Sequence, residues 1–232
     1  MATFVVAHGA WSAGWAWKKM HPLMRAKGHE LLTPTYTGIG DRAHLASSSI
    51  GLETHVQDML MFLRVEDVRD AILIGHSYGG MVATGVADLA SDRIAQLVYL
   101  DAFVPQHGKC VFDYTPPEHR KRMEDNAVEG WKIPPNPLPP DTSPRDVDWI
   151  MPRRVHQPLA CFQEPLLLEN GEPQMPRTYI YAARSGPGDT FRQFAERARA
   201  EGWNYVEMDA SHSPHITTPE ALTEVLDKIA RG

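Results

Sequence analysis

The chain has 232 residues, 43% of them hydrophobic and 22% charged, with a formal net charge of −6. That balance describes a mildly acidic globular protein able to bury a substantial core, and α/β folds of this length commonly stay one domain. No basic block or Lys/Arg stripe occurs, which excludes nucleic acid as an expected partner; a homodimer is compatible with the composition.

The first run, MATFVVAHGAW, has no basic leader and reaches His8 within a few residues. It predicts a buried strand, neither a signal peptide nor a membrane span. WAWKKMHPLMRAKG then predicts a helix stopping at Gly28, and HELLTPT a second strand. ETHVQDMLMFLRVEDV places Val56, Met59, Leu60 and Leu63 on one helical face. AILIGH predicts a third strand, MVATGVADLA a helix and QLVYLDA a fourth strand. TYIYAA, FRQFAERARAEG, NYVEMDA and PEALTEVLDKIARG continue the alternation, with Pro219 near the last helix start. Apolar strands separated by helices imply a mostly parallel sheet with helices on both faces, an α/β fold spanning residues 1–232 as one domain. Cys110 and Cys161 are the only cysteines and lack C-x-x-C spacing, which fits a reducing, cytoplasmic compartment.

Residues 105–176 break the rhythm. Prolines crowd the segment, Phe112, Trp131, Trp149, Met151 and Phe162 lie among them, and no strand is expected. The aromatic and Met content points to a folded cap over a site rather than a disordered insert. Trp131 and Trp149 are its aromatic candidates to touch substrate, with cap core as the alternative for each.

The chemistry centres on ILIGHSYGGMV, in which Gly75-His76-Ser77-Tyr78-Gly79 forms G-x-S-x-G. A strand runs straight into the pattern and a helix straight out, the setting it needs to present Ser77 as a nucleophile above the sheet. Without that setting the pattern would be only a glycine-rich turn around an inert serine. A serine hydroxyl requires a base, and the chain order serine, acid, histidine favours a histidine after the last strand. EMDASHSPHITTPEAL offers His212 and His215 there. His212 follows the strand first and is the expected base, while His215 is expected to pack or face solvent. As a metal pair the two lack the H-E-x-x-H helix, so no metal is expected.

Two N–H groups must hold the oxyanion, and the backbones of Tyr78 and Ala10 are expected to supply them. His8 is expected to buttress the Ala10 loop, with Trp11, Trp15 and Trp17 expected to pack beneath it and ligand binding as their alternative. His76 reads equally as pocket wall or as filler.

HGAWSAGWAW, TPTYTGIGDRAHL, GHSYGGMV, LVYLDAFVP and SHSPHITTP together resemble the α/β-hydrolase superfamily, in order and spacing, over almost the whole chain. Within it the chain is similar to plant methylesterases and hydroxynitrile lyases and to bacterial hydrolases of pyrethroid or carbamate esters. The resemblance implies an α/β-hydrolase fold with a cap inserted after the Leu97–Ala102 strand, Ser77 and His212 in catalysis, Ala10 and Tyr78 as oxyanion donors, and no cofactor. It also implies hydrolysis of a small ester. The lyases of that branch carry Thr, Glu and Lys where this chain has Gly9, His76 and Ser213, and the missing lysine favours an esterase. A lyase would release cyanide from mandelonitrile, whereas a ligand-sensing module on the same fold would give a stoichiometric burst without turnover.

One charge is out of place in this pattern. Related esterases put the triad acid a few residues after the TYIYAA-type strand, at about Ser185. The first carboxylate there is Asp189, which a helix start explains as a cap. Asp101 ends an apolar strand, where an unpaired carboxylate is costly. Some haloalkane dehalogenases place their acid at the matching strand end. Asp101 is therefore the expected acid, the alternative being that it only braces the cap hinge.

Overall fold

A computed structural model describes residues 1–186 and 189–232, so Pro187 and Gly188 of the Arg184–Asp189 loop lie outside the described residues. All six expected strands form. They are β1 (Thr3–Ala7), β2 (Glu30–Leu32), β3 (Ala71–His76), β4 (Ile94–Leu100) and, beyond the insert, Arg177–Ala182 and Asn204–Met208. The insert adds two short strands, β5 (Lys132–Ile133) and β6 (Gln157–Pro158), so the last two are β7 and β8. The main sheet has the order β2-β1-β3-β4-β7-β8 and is parallel throughout. The chain leaves β1 in one direction and resumes at β3 in the other, so a crevice opens between their carboxyl ends, where open α/β sheets bind ligands.

Side-chain alternation divides the core. Val5, Ala7 and Leu73 face one layer, closed by α2 (Leu52–Val65), α3 (Gly79–Leu89) and α7 (Arg192–Ala200). Phe4, Val6, Ile72 and Ile74 face the other, closed by α1 (Met20–Ala26) and α9 (Pro219–Arg231). This period of two is what a pleated strand imposes on a sheet covered on both faces. α2 buries Val56, Met59 and Leu63 as its spacing predicts, while Leu60 is only half-buried and Leu52 joins the buried stripe at the first turn.

Three expectations need correction. WAWKKMHPLMRAKG forms a 3-10 turn over Gly14–Trp17 and only then α1. Pro22 has no N–H to donate to the Lys18 carbonyl, so the ladder cannot run through, but it is tolerated in the first turn of α1. HELLTPT yields only Glu30–Leu32, an edge strand, with Pro34 following. Residues 105–176, expected to contain no strand, pair β5 with β6 in an antiparallel ladder. Around that ladder lie α4 (Pro117–Asp125), α5 (Pro144–Ile150) and α6 (Ala160–Gln163). Phe112 and Phe162 are buried there with their rings stacked at 6.0 Å. A further short helix, α8 (Pro214–Thr217), precedes α9.

The contact between β1 and α3 is close enough to test. A Cβ added at Gly79 would lie 1.9 Å from the Ala7 carbonyl oxygen. Backbone on both sides leaves little room to yield, so Gly79→Ala is expected to cost about 1–3 kcal/mol or more, lowering the melting temperature by several degrees. Thermal unfolding followed by circular dichroism measures this; an unchanged melt would contradict the contact.

Candidate active site

Ser77 sits at the turn from β3 into α3 with φ of +55°, a left-handed conformation that L-residues adopt at a cost of the order of 1–3 kcal/mol. The surroundings hold it there. Its N–H donates to the Leu100 carbonyl (3.3 Å), and its own carbonyl accepts from Gly80 (3.1 Å) and Phe103 (3.2 Å). Glycine is required on both sides of the turn. A Cβ at Gly75 would lie 2.8 Å from the Gly79 carbonyl oxygen, and Gly79 is pressed against Ala7 and His8. The Ser77 side chain opens into a cavity of about 460 Å³.

Ala10 and Tyr78 line the same cavity. Neither backbone N–H meets an acceptor among the described residues, which leaves both free to face a bound oxygen. The loop after β1 is packed onto the turn: a Cβ at Gly9 would be 3.1 Å from Ser77 Cβ. His8 fastens that loop as expected. Its Nδ1–H donates to the Gly9 carbonyl (3.0 Å), its Nε2 accepts from the Tyr36 N–H (3.3 Å), and its ring stacks on Tyr36 at 3.8 Å. Burial drives the His8 pKa down to about 3, so it is neutral. Tyr78 is fixed from the other side, its hydroxyl donating to His55 Nδ1 (2.9 Å) while His55 Nε2–H donates to the Thr37 carbonyl (3.1 Å). Trp11, also at positive φ, ties the loop to the insert: its N–H donates to Gln157 Oε1 (3.1 Å) and its indole N–H to the Ile133 carbonyl (2.9 Å).

His212 and Asp101 meet. His212 Nδ1–H donates to Asp101 Oδ2 at 2.7 Å, and Asp101 Oδ1 accepts the Ala182 N–H at 3.2 Å. Asp101 is buried; burial pushes its carboxyl above the usual range, while His212 and the Ala182 N–H pull it back. The Phe191 ring lies flat on the His212 imidazole, with centroids 4.9 Å apart. His76, left open between wall and filler, is a strut as well as wall: its Nε2–H donates to the His212 carbonyl at 2.8 Å. Burial holds the His76 pKa well below its ordinary value. His215 is buried and stacks on Trp17 at 4.5 Å.

Asp189 lies elsewhere in the same loop cluster, with its carboxylate already engaged. Oδ2 accepts the Tyr181 hydroxyl (2.6 Å), and Oδ1 accepts the Phe191 N–H (2.9 Å) just before α7. Ser185 donates to the Ala182 carbonyl (2.7 Å).

All five expected site residues thus border one cavity, with Asp101 reached through His212. The aromatic expectations fare differently. Trp131 and Trp149 do not line the cavity; Trp149 sets its ring edge-on to Trp15 at 5.3 Å, and Lys132 lies over Trp131 at 4.9 Å. Trp11 and Trp15, for which packing was the first expectation and ligand binding the alternative, do line it, as do Phe162 and Phe103. His55 was passed over in the sequence, although a histidine four residues before Met59 shares the buried stripe of α2.

Among the described residues no three His, Cys, Asp or Glu side chains are grouped to hold a metal, and no helix is long and apolar enough to cross a membrane. Residues 4–225 match the model of the alpha/beta hydrolase family. The chain is 38% identical to a carbendazim hydrolyzing esterase of Nocardioides sp. (strain SG-4G) across 97% of this chain and 98% of that protein. It is 26% identical to the pFDCC methylesterase MES16 of Arabidopsis thaliana, across 94% and 90%. An extracellular alpha/beta-hydrolase from a Paenibacillus species superposes with a TM-score of 0.85 at 26% identity, covering 98% of each chain. Fold, elbow geometry and family match agree: the chain belongs to the alpha/beta hydrolase family.

Proposed function

We propose that this protein is a serine esterase that cleaves small, largely apolar carboxylic esters through an acyl-enzyme. The observation that carries the reading is the 2.7 Å bond between His212 Nδ1 and the buried carboxylate of Asp101, beside a cavity that also exposes Ser77. Asp101 fixes the tautomer that leaves His212 Nε2 unprotonated and basic.

Ser77 Oγ attacks the ester carbonyl as His212 Nε2 takes its proton. The carbonyl electron pair moves onto oxygen, which rests on the Ala10 N–H of the loop after β1 and the Tyr78 N–H at the start of α3. The tetrahedral adduct collapses, breaking the bond to the alcohol oxygen, and His212 returns the proton to that leaving group. Water then repeats both steps on the acyl-Ser77 ester and releases the acid. Atoms and charge balance with water as the only co-substrate.

Residues 105–176 act in this reading as the cap. Val111, Met123 and Phe162 give the cap's side of the cavity an apolar lining, where the shape of the acyl or alcohol part contributes to specificity. Support also comes from the relatives, since the Nocardioides protein and the Arabidopsis methylesterase both carry names of ester hydrolases. The described cavity lining contains no lysine, which disfavours the lyase alternative.

An activated organophosphate tests the assignment. It is expected to inactivate the protein with one phosphoryl group per chain, found by peptide mass spectrometry on Ser77. Label on another serine, or turnover of nitrophenyl esters surviving full labelling, would overturn it.

A further inference from the structure

The cavity wall carries charge that the ester chemistry above does not use. Three arginines and two aspartates border it: Arg122, Arg154, Arg184, Asp101 and Asp189. Both aspartates are engaged, Asp101 with His212 and Asp189 with Tyr181 and Phe191. Arg184 is neutralised by Asp209 through two bonds of 2.6 and 2.8 Å. The other two cations are left over.

Arg154 is only half exposed, and its one partner among the described residues is the Asn136 carbonyl. Burial alone lowers its pKa, with no carboxylate nearby to offset the cost. Arg122 stands on α4 with His119 and Met123, which border the cavity from the same helical face. Its neighbours Arg120 and Lys121 pair with Glu124 and Asp125, whereas Arg122 forms no ion pair among the described residues. In a protein of net charge −6, two unpaired guanidiniums on one cavity are a local reversal of sign.

A partly desolvated guanidinium without an anion is unfavourable unless a ligand supplies one, and its planar fork suits a carboxylate. We propose that Arg154, with Arg122 at the rim, selects esters whose body is apolar but whose far end carries a carboxylate, the half-esters of short dicarboxylic acids being the simplest members. The inference rests on the esterase reading and refines its substrate class. Arg154 is the recognition residue and Arg122 a steering charge, and neither touches the reacting atoms.

The test compares monomethyl adipate and 4-acetoxybutyrate, which carry the carboxylate on the acyl and the alcohol side, with neutral esters of the same length. Wild type is expected to favour one charged ester over its neutral counterpart by roughly ten- to a hundredfold in kcat/KM, mostly through KM. Which one wins tells whether the acyl or the alcohol part reaches Arg154. Arg154→Met should erase the preference while the neutral ester keeps its rate, Arg154→Lys should restore part of it, and Arg122→Ala should weaken it about two- to fivefold in a salt-sensitive way. No wild-type preference overturns the proposal. Equal loss for charged and neutral esters in Arg154→Met also overturns it, leaving Arg154 as a strap for the Asn136 carbonyl. A binding arm separates this from failure of the esterase reading. Adipate binding to Ser77→Ala, measured by calorimetry, should weaken at least tenfold on adding Arg154→Met, whether or not any ester is turned over. Unchanged adipate binding, or none in Ser77→Ala, refutes the carboxylate site.

Discussion

Ser77→Ala is expected to lower kcat for p-nitrophenyl acetate on the order of a million-fold, the cost of removing the nucleophile from a triad that works as a unit. The fold should survive. The Ser77 side chain makes no hydrogen bond among the described residues, and the turn is held by backbone bonds from Leu100, Gly80 and Phe103 that alanine retains. Strain at φ of +55° is similar for serine and alanine, so the melting temperature should hardly move. Some catalysis above water should remain, because the Ala10 and Tyr78 donors still meet the oxyanion. Single-turnover kinetics and thermal unfolding decide the matter together. A loss below about a hundredfold in a fully folded variant would mean that another group attacks the ester.

What could be read from the sequence followed the range of the interaction responsible. Strands and helices are local: Phe4 and Val6 against Val5 and Ala7, or Val56, Met59 and Leu63 along α2, betray their layer by spacing alone. The elbow is equally local, since Gly75, Ser77 and Gly79 constrain one another across a single turn. The break in the first helix was also within reach, had Pro22 been weighed against the apolar pattern around it. The cap was not. Whether Trp15 or Trp149 faces the cavity depends on which ring lies over the other, a contact between residues 134 positions apart. The same holds for Trp11, whose hydrogen bonds to Ile133 and Gln157 span more than a hundred residues. His55 and His76 act through neutral rings, and nothing in composition tells a buried histidine that positions a neighbour from one that merely fills space. Their partners, Tyr78 and the His212 carbonyl, had to be seen.

The placement of the acid, by contrast, was decided by a charge where none should be, and it yields the second large effect. Asp101→Asn is expected to cut kcat roughly ten-thousand-fold with the fold retained. Asp101 takes φ of +42°, a conformation in which asparagine is as comfortable as aspartate, so the strand end should not move. The amide oxygen can still accept the Ala182 N–H that Oδ1 accepts now. Its NH₂ group then faces His212 Nδ1 as a donor. That forces the proton onto Nε2, the nitrogen that must stay free to deprotonate Ser77, and removes the charge that stabilises the imidazolium. Asp189→Asn meets none of these consequences. Its carboxylate accepts from Tyr181 and from the N–H of Phe191, the N-cap of α7, rather than capping the helix itself, so the substitution should cost at most about 1 kcal/mol of hydrogen bonding and less than tenfold in kcat. The pH profile distinguishes the mechanism from mere damage. If Asp101 governs the tautomer, activity of Asp101→Asn should recover in part at alkaline pH, where hydroxide can replace the missing base, while Asp189→Asn keeps the wild-type profile. Should Asp189→Asn prove the more damaging change, the working acid lies on the Arg184–Asp189 loop, and the 2.7 Å contact between Asp101 and His212 is only a brace at the cap hinge.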